Sequence, residues 1–516
     1  MSELLKGLKV ASNLDRTTNG AYGYKSTLSK VYDLFAQGGA MRQASDDDCM
    51  NMFAQAYAED ATLALKCLFY LRDIRGGQGE RRFFRLAIKW LAIKYPAEMR
   101  HLIKYIPEFG RWDDMFVLVG TRLEKDVYDF MKAQFVLDLE SKTPSLLGKW
   151  LKSENTSSPE SIRLAKATRR AWGMTAREYR KALSLLRGRI NIVETLMSQN
   201  RWDEIEFDKL PSKAGLIYKN AFARHDITKA RYEKFIKDET THVNAGTLYP
   251  YDVVHQVLSL CNVDWYAERY DLKVGVDDVN RCAINKYWDN LTDYFNGASL
   301  NALAIVDTSG SMTGSYGNSG PAPIDVAISL GLYCAERAKG PFANHFISFS
   351  RKPKLIETEG VDFCDKVVRI YRQNLCENTN IEATFDLVLN TALANHLSQD
   401  DLPENLIIIS DMQFDSATNT YYSYRSDDTF ARHAALMEQI EQKWNAHGYK
   451  MPKLIFWNAN AAYKTSIPME DKPGVTMVSG CSPVIFEMIM TGKTGQDLML
   501  DKLLSERYAC IKSKED

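Results

Sequence analysis

The sequence lacks the features of several protein classes. Its 516 residues contain no run of about 18 apolar residues, so no segment is long and apolar enough for a membrane-spanning helix. The opening residues Met-Ser-Glu-Leu-Leu-Lys also lack the apolar core of a secretion signal. We therefore expect a cytoplasmic protein with no membrane partner.

The nine cysteines form no framework for a metal or for disulfides. Their number is odd, and no two of them are separated by only two residues. A scattered, odd set without a Cys-x-x-Cys pair argues against the common zinc sites and against a disulfide framework. We expect free thiols, several of them buried, because they stand in apolar segments.

No charge of one sign dominates the chain. The 65 Lys and Arg residues balance 66 Asp and Glu residues, and the formal net charge is −1. This balance excludes a globally basic nucleic-acid binder and a disordered acidic chain. Any electrostatic binding surface must therefore be local. The length predicts two or three domains.

Three common catalytic motifs are also missing. The sequence contains no Gly-x-x-x-x-Gly-Lys-Ser phosphate loop, no His-Glu-x-x-His zinc helix and no Gly-x-Ser-x-Gly elbow. The eight histidines show neither metal spacing nor a paired nucleophile. We expect a protein that is not an enzyme.

What the sequence does contain is an apolar run at 302–306 that ends in one carboxylate and two hydroxyls at alternate positions. These are Asp307, Ser309 and Ser311. The run predicts a strand buried on both faces of a parallel sheet. Ligands bind outside the carboxyl ends of such strands. Oxygen-only ligation favours a hard cation such as Mg²⁺ over zinc.

Two further oxygen donors are expected at the same edge. The apolar run 405–410 ends in Asp411, and Thr379 lies in a polar turn before the amphipathic segment 381–396. A hydroxyl at a helix start can cap the helix and bind a metal. The order Asp-x-Ser-x-Ser, then Thr, then a strand-terminal Asp resembles the metal-ion-dependent adhesion site of von Willebrand factor A domains.

That resemblance implies a division of roles. Ser309, Ser311 and Thr379 would bind the cation directly, while Asp307 and Asp411 would hold it through water. A partner carboxylate or another anionic oxygen would complete the coordination sphere. One alternative is that Asp307 and the serines only cap the next helix. A second is a Mg²⁺-dependent phosphohydrolase, although Ser309 stands where an aspartyl phosphatase carries its acid/base carboxylate.

The pattern of apolar residues divides the chain into two halves. Residues 30–290 show helical spacing without clear strand alternation, as in stacked antiparallel helix pairs. Residues 298–516 alternate strands and helices, which predicts a doubly wound α/β domain with one antiparallel edge strand at 353–358. We thus predict an N-terminal extension, 1–29, a helical HEAT-like repeat domain and a von Willebrand A-like domain. The sequence leaves open whether the helices close into a ring.

Several blocks resemble the domain-of-unknown-function 2828 family. They include Leu-Arg-Asp-Ile-Arg-Gly-Gly-Gln-Gly-Glu at 71–80, Ile-Pro-Glu-Phe-Gly-Arg-Trp-Asp at 106–113 and Ser-Asp-Met-Gln-Phe-Asp at 410–415. That family is similar to the TROVE proteins, which include the Ro autoantigen. The resemblance implies a helical-repeat domain joined to a von Willebrand A domain, and RNA as a partner.

One segment of the helical half could attract phosphate. Residues 148–191 contain eleven Lys and Arg residues against three Glu. Such a cluster can bind a nucleic-acid backbone through counterion release, and Trp150, Trp172 and Tyr179 could stack on unpaired bases. A solvated basic face is the alternative. The candidate RNA-binding residues are Lys149, Lys152, Arg163, Lys166, Arg169, Arg170, Arg177, Arg180, Lys181, Arg187 and Arg189.

A second possible phosphate site is the glycine-rich loop 76–79. It could offer amides to a phosphate beside Arg72 and Arg75, or it could be a tight turn between two helices.

The sequence therefore favours a non-enzymatic RNA-binding protein, of the Ro-like ribonucleoprotein class, with a Mg²⁺-dependent ligand site. The alternative is a protein-interaction scaffold, such as a phage-encoded assembly component, that binds a partner carboxylate without RNA.

Overall fold

The computed structural model describes most of the chain. The described residues are 12–190, 192–264, 269–272, 278–295, 297, 301–313, 321–349, 353–373, 380–414, 436–461, 467–469, 471–489 and 493–514. The fold is a helical region followed by an α/β region with a mostly parallel sheet, which confirms the predicted fold class.

The strands are short and lie in three sheets. They are β1 Leu14–Arg16, β2 Tyr22–Tyr24, β3 Cys261–Asp264, β4 Arg269–Leu272, β5 Ala302–Asp307, β6 His345–Phe349, β7 Lys354–Glu357, β8 Asn405–Ser410, β9 Lys453–Asn458 and β10 Val475–Ser479. Strands β1 and β2 pair with each other, as do β3 and β4, and the other six form the main sheet.

The main sheet has the order β10-β9-β8-β5-β6-β7, and only β7 is antiparallel to its neighbour. The predicted antiparallel edge strand is thus confirmed. Chain order runs outward from β5 to β7 on one side and from β8 to β10 on the other. The direction therefore reverses between β5 and β8, and this reversal creates the crevice in which open α/β sheets bind ligands.

The α-helices account for most of the remaining regular structure. Those before the main sheet are α1 Lys30–Gln37, α2 Asp46–Glu59, α3 Ala61–Arg72, α4 Arg82–Lys94, α5 Pro96–Leu102, α6 Ile106–Phe109, α7 Glu124–Glu140, α8 Leu147–Trp150, α9 Pro159–Ala171, α10 Ala176–Ile190, α11 Val193–Ser198, α12 Ser212–Arg224, α13 Lys229–Lys237, α14 Pro250–Leu258 and α15 Asp278–Asp289. Those among and after its strands are α16 Pro323–Arg337, α17 Phe363–Tyr371, α18 Ile381–Ala394, α19 Leu436–Ala446, α20 Val484–Ile489 and α21 Gly495–Leu503.

The core of the main sheet explains its apolar strands. Every residue of β5 is buried, and so is every residue of β8 after Asn405. Helix α16 packs directly on β5, and a Cβ atom at Gly331 would lie 2.4 Å from Val306 Cγ2. Only glycine permits this close approach between helix and strand. The approach fixes the helix that follows the Asp-x-Ser-x-Ser motif.

The apolar spacing also predicts single helices over 52–73 and 497–512 and no strands within 30–290, and these three predictions were wrong in detail. The segment 52–73 is two helices, because Asp60 has extended backbone and its side chain accepts from the Leu63 amide at the start of α3. The segment 497–512 ends its α-helix at Leu503. The helical half also contains the β3–β4 pair, whose four-residue strands are too short to show alternation.

The chain forms two compact units that group its residues differently from the predicted domains. One contains the described residues up to Cys67 and those from Leu248 to Ala509. The other contains Leu68 to Thr247 and the described residues from Cys510 onward. The N-terminal segment joins the first unit because α1 packs on β10 and the Tyr24 backbone bridges to Ile467. The predicted extension 1–29 thus contributes to a folded core.

The composition predicted free cysteines and no membrane-spanning helix. The eight described cysteines are free thiols, most of them buried, as predicted, and Cys376 lies outside the described residues. In the described part of the chain, no helix is long and apolar enough to cross a membrane.

Candidate metal centre

The predicted ligands that the structure describes converge where the sheet reverses direction. Strands β5 and β8 are parallel neighbours, with Val306 opposite Ile409, so their carboxyl ends lie side by side. Asp307 ends β5, and Asp411 follows β8 directly. Ser309 and Ser311 lie in the turn after β5. Thr379 falls outside the described residues, so its assignment as a ligand stays a prediction.

Hydrogen bonds fix the Asp307 carboxylate on both oxygens. Its Oδ1 accepts from the Ser309 amide at 2.9 Å, and its Oδ2 accepts from the Ser410 hydroxyl at 2.5 Å. The Ser309 and Ser311 hydroxyl oxygens lie 3.1 Å apart. Asp307, Ser410, Ser309 and Ser311 therefore bring their side-chain oxygens together at this edge. Of these residues, Ser309 and Ser311 are predicted to bind the cation directly.

The carboxylates are taken out of water. Asp307 is 0% exposed and Asp411 is 2% exposed. Burial, followed by the negative charge of Asp411, raises the pKa of Asp307, while hydrogen bonds from Ser410 and Ser309 oppose this shift. Burial likewise raises the pKa of Asp411, while the Gln413 amide and the Ser311 hydroxyl oppose this shift. Two like charges in a dry site disfavour their own ionised forms, and a bound cation would relieve this.

One oxygen of Asp411 carries the strongest indication of a ligand. Its Oδ1 accepts from the Gln413 amide at 3.0 Å. The Ser311 hydroxyl lies close enough to lower the pKa of Asp411. Even so, among the described residues no donor completes a hydrogen bond of ordinary geometry to Asp411 Oδ2, although this atom is buried. Buried polar atoms in folded proteins normally have a partner. A carboxylate oxygen without one, beside two serine hydroxyls, suits an oxygen-binding cation.

The predicted ligands that the structure describes offer only oxygen atoms. These are the hydroxyls of Ser309 and Ser311 and the carboxylates of Asp307 and Asp411. Among the described residues, no group of three or more His, Cys, Asp or Glu side chains could hold a metal ion in the way a zinc site does. The residues fit a hard cation held by hydroxyls and two carboxylates.

Gln413 and Asp415 follow Asp411 in the sequence, where they could support the metal site or simply stabilise a turn, but the sequence did not indicate which residues hold the loop after β8. Gln413 is buried, and its side-chain oxygen accepts from the Thr18 amide at 2.8 Å. The Asn19 amide group donates to the Gln413 carbonyl at 2.7 Å. Thr18 and Asn19 lie in the turn of the N-terminal hairpin, which β1 and β2 form. No sequence signal indicated these contacts, because the two strands contain only three residues each. Asp415, the other residue considered for this loop, lies outside the described residues.

The eleven candidate RNA-binding cations divide into two groups. Six are engaged within the protein. Arg163 pairs with Glu160, Arg169 with Glu154 and Lys149 with Glu194. Arg187 and Arg189 donate to backbone carbonyls, and the Lys152 ammonium lies over the Phe116 ring. The other five are exposed, and their side chains form no ion pair or hydrogen bond with any described residue. They are Lys166, Arg170, Arg177, Arg180 and Lys181.

The prediction that Trp172 and Tyr179 stack on bases was wrong. Trp172 is buried, donates its indole N–H to the Tyr128 carbonyl at 3.0 Å and packs on Phe135. Tyr179 is buried as well, and its hydroxyl donates to a backbone carbonyl. The signal was available, because Leu164 and Trp172 lie eight residues apart, on the same apolar helix face. Trp150 is half-buried, with the Arg111 guanidinium over its ring.

The glycine-rich loop is the tight turn rather than an open phosphate site. The amides of Gln78 and Gly79 donate to the carbonyls of Tyr70 and Asp73, so they are already used. Arg72, beside the loop, is buried and paired with Asp114 at 2.7 Å.

Comparisons with known proteins were made on the sequence and the fold. An uncharacterised protein of Acanthamoeba polyphaga mimivirus is 29% identical over 525 residues, covering 93% of this chain and 85% of that protein. The solved structure of the Ro (RSR) protein of Deinococcus radiodurans aligns with 93% of this chain and 99% of that chain, at 14% identity and a TM-score of 0.46.

Two family descriptions match the sequence. Domain of unknown function (DUF7788) matches residues 301–512. Domain of unknown function (DUF2828) matches residues 17–170 and 148–297, which together span more than half of the chain. The chain therefore belongs to the DUF2828 family, as its sequence blocks predicted.

Proposed function

We propose that this chain is a non-enzymatic, cytoplasmic binding protein in which a hard divalent cation, such as Mg²⁺, binds an anionic oxygen of a ligand at the β5–β8 edge. The observation that carries the proposal is the buried Asp411 Oδ2, to which no described residue donates a hydrogen bond of ordinary geometry. The Ser309 and Ser311 hydroxyls would bind the cation directly. Asp307 and Asp411 would supply the compensating charge. Thr379 joins this set through the family resemblance alone.

The hydrogen bonds of Asp307 favour binding over phosphoryl transfer. A phosphohydrolase of the aspartyl type needs a carboxylate oxygen that is free to attack phosphorus. Both oxygens of Asp307 instead accept short bonds, from the Ser309 amide and the Ser410 hydroxyl. Such a carboxylate is suited to orienting its neighbours. The proposal therefore assigns Asp307 a positioning and charge-balancing role.

Cation binding can be tested directly with Mn²⁺ as a spectroscopic substitute for Mg²⁺. The wild-type chain should bind Mn²⁺ in titrations followed by electron paramagnetic resonance. Ser309→Ala should weaken binding strongly, because it removes a proposed ligand. Ser329→Ala is a matched control, since Ser329 is also buried but bonds within α16 to the Val326 carbonyl. Equal binding by wild type and Ser309→Ala would refute the proposed site.

A second proposal concerns RNA, and it rests on the five exposed, unpaired cations of α9 and α10. Lys166 and Arg170 are four residues apart on α9, and Arg177 and Lys181 are four apart on α10, so each pair shares one helix face. Cations without acidic partners are the ones that can release counterions from a phosphate backbone. We propose that this surface binds RNA through its backbone, without aromatic stacking by Trp172 or Tyr179.

Filter binding over a salt series tests this proposal. Each of the five cations can be neutralised singly, by Lys→Gln or Arg→Gln. If the cation contacts a phosphate, its loss should reduce the slope of log K against log salt concentration by about 0.7–0.9. Arg163→Gln is the control, because Glu160 already balances that exposed cation. RNA binding at this surface would be contradicted if RNA retention did not fall as the salt concentration rises. It would also be contradicted if Arg163→Gln changed the slope as much as the other substitutions do. The metal site would then serve a protein carboxylate in a scaffold without RNA.

A further inference from the structure

We infer that the turn of the N-terminal hairpin, residues 17–19, is a positioning element of the cation site. It holds the loop 411–414 in the shape that presents Asp411 Oδ2. This inference rests on the proposed cation binding and extends it to residues that lie outside the metal-binding motif.

Three hydrogen bonds join the hairpin turn to the loop. The Thr17 hydroxyl donates to the Phe414 carbonyl at 2.7 Å. The Thr18 amide donates to Gln413 Oε1 at 2.8 Å, and the Asn19 side-chain amide donates to the Gln413 carbonyl at 2.7 Å. Each residue of the turn therefore takes part in this contact, and together they hold two consecutive loop residues.

The turn is itself rigidly held. The Thr17 hydroxyl accepts from the Ala21 amide at 3.0 Å while it donates to the loop, so one side chain serves both structures. Gly20 has a φ of 93°, a conformation that favours glycine. The backbone of Tyr24 exchanges two hydrogen bonds with Ile467, at 2.8 and 3.0 Å, which anchors the hairpin beside the sheet.

The loop passes this support to the metal-binding residues. The Gln413 amide bonds Asp411 Oδ1, and the Met412 amide bonds the Ser410 hydroxyl, which in turn donates to Asp307. Met412 has a φ of 61°, a left-handed conformation that L residues adopt only when their surroundings enforce it. The loop amides thus occupy one oxygen of Asp411 and leave the other for a ligand.

Thr17 and Asn19 allow matched substitutions. Thr17→Val keeps the shape of the side chain and removes its hydroxyl, whereas Thr17→Ser keeps the hydroxyl. Asn19→Ala removes one bond at an exposed position, so this variant should fold even if Thr17→Val does not. Lys25→Gln is the control, because the exposed Lys25 side chain bonds only the Ser12 carbonyl.

The measurement is Mn²⁺ affinity of the full chain, with thermal unfolding of the cation-free protein alongside. Residues that support metal ligands typically contribute about 10–100-fold in affinity, so Thr17→Val and Asn19→Ala should each raise the dissociation constant by about tenfold. Thr17→Ser and Lys25→Gln should bind as wild type does. A purely structural hairpin would lower the unfolding temperature and leave the affinity unchanged.

The outcomes separate the two proposals. If wild type binds Mn²⁺, Asp411→Ala does not, and both Thr17→Val and Asn19→Ala bind like wild type, the positioning role is refuted while the cation site stands. If wild type fails to bind, or if binding survives Asp411→Ala, the cation site itself is wrong and the inference falls with it.

Discussion

Replacing Asp411 by asparagine should have opposite effects on the cation-free and the cation-loaded protein. Asp411→Asn keeps the shape of a buried side chain and removes one of two neighbouring negative charges. In the absence of a cation, this relieves both the burial of a charge and its repulsion of Asp307. The variant should therefore be more stable than wild type without cation, and it should lose the response to Mg²⁺.

The sign of the pH dependence follows from the raised pKa values of both carboxyls. Below about pH 3 these groups are largely protonated in the folded and in the unfolded chain, so they contribute little difference. As the pH rises, the unfolded chain releases its protons first, and the cation-free folded state loses stability until its own raised pKa values are passed. The stabilisation by Asp411→Asn should grow over this same range, so it should be larger at neutral pH than at about pH 3.

The magnitude can be bounded from the cost of burying a charge. Such a charge without a compensating partner typically costs a few kcal/mol, so Asp411→Asn should stabilise the cation-free protein by roughly 1–3 kcal/mol at neutral pH. Mg²⁺ at about 100 times its dissociation constant should stabilise wild type by about 2.7 kcal/mol and the variant hardly at all.

Thermal unfolding with chelator and with added Mg²⁺, at several pH values, measures all four states. The expected pattern is a crossing: the variant unfolds at the higher temperature in chelator, and wild type does so with Mg²⁺. The reasoning would be refuted by a variant that is less stable than wild type in chelator at neutral pH. An equal Mg²⁺ response in both proteins would refute it as well.

Three further predictions concern the helical unit. Asp114→Ala should cost about 3–5 kcal/mol in denaturant unfolding, because it leaves the buried Arg72 guanidinium without its partner; a loss below about 1 kcal/mol would contradict this. Glu98→Ala should destabilise by about 1–3 kcal/mol and speed hydrogen exchange at the tail, since the Ser513 hydroxyl loses its buried acceptor; unchanged exchange would argue against it. Trp172→Phe should reduce stability while RNA affinity stays constant, and a selective loss of affinity would restore the stacking role.

The sheet and its ligand edge could be predicted because their signals are local. The runs 302–306 and 405–410 are continuously apolar, since both strands are buried on both faces, and each ends at a carboxylate. Parallel strands bring such ends together wherever they are neighbours. The sequence does not show which strands are neighbours, and the structure shows that β5 pairs with β8.

The supporting contacts could not be predicted because their signals are not local. Thr17 and Asn19 lie in a turn between three-residue strands, and their partner Gln413 is almost 400 residues away. The sequence also could not show which basic side chains have an acidic partner. Arg169 and Arg170 are adjacent in sequence, yet only Arg169 turns toward an acidic partner, Glu154, because the helix directs the two side chains differently.

The hairpin has a consequence for the order in which the molecule is made. Its turn contacts residues 394 to 397 positions later in the chain. At about 5–20 residues per second, a ribosome would finish the hairpin roughly 20–80 s before its partner loop. During that interval β1 and β2 lack the loop 411–414 that their turn contacts. A fragment beginning at residue 298 would carry every predicted ligand and still lack the part that arrives first.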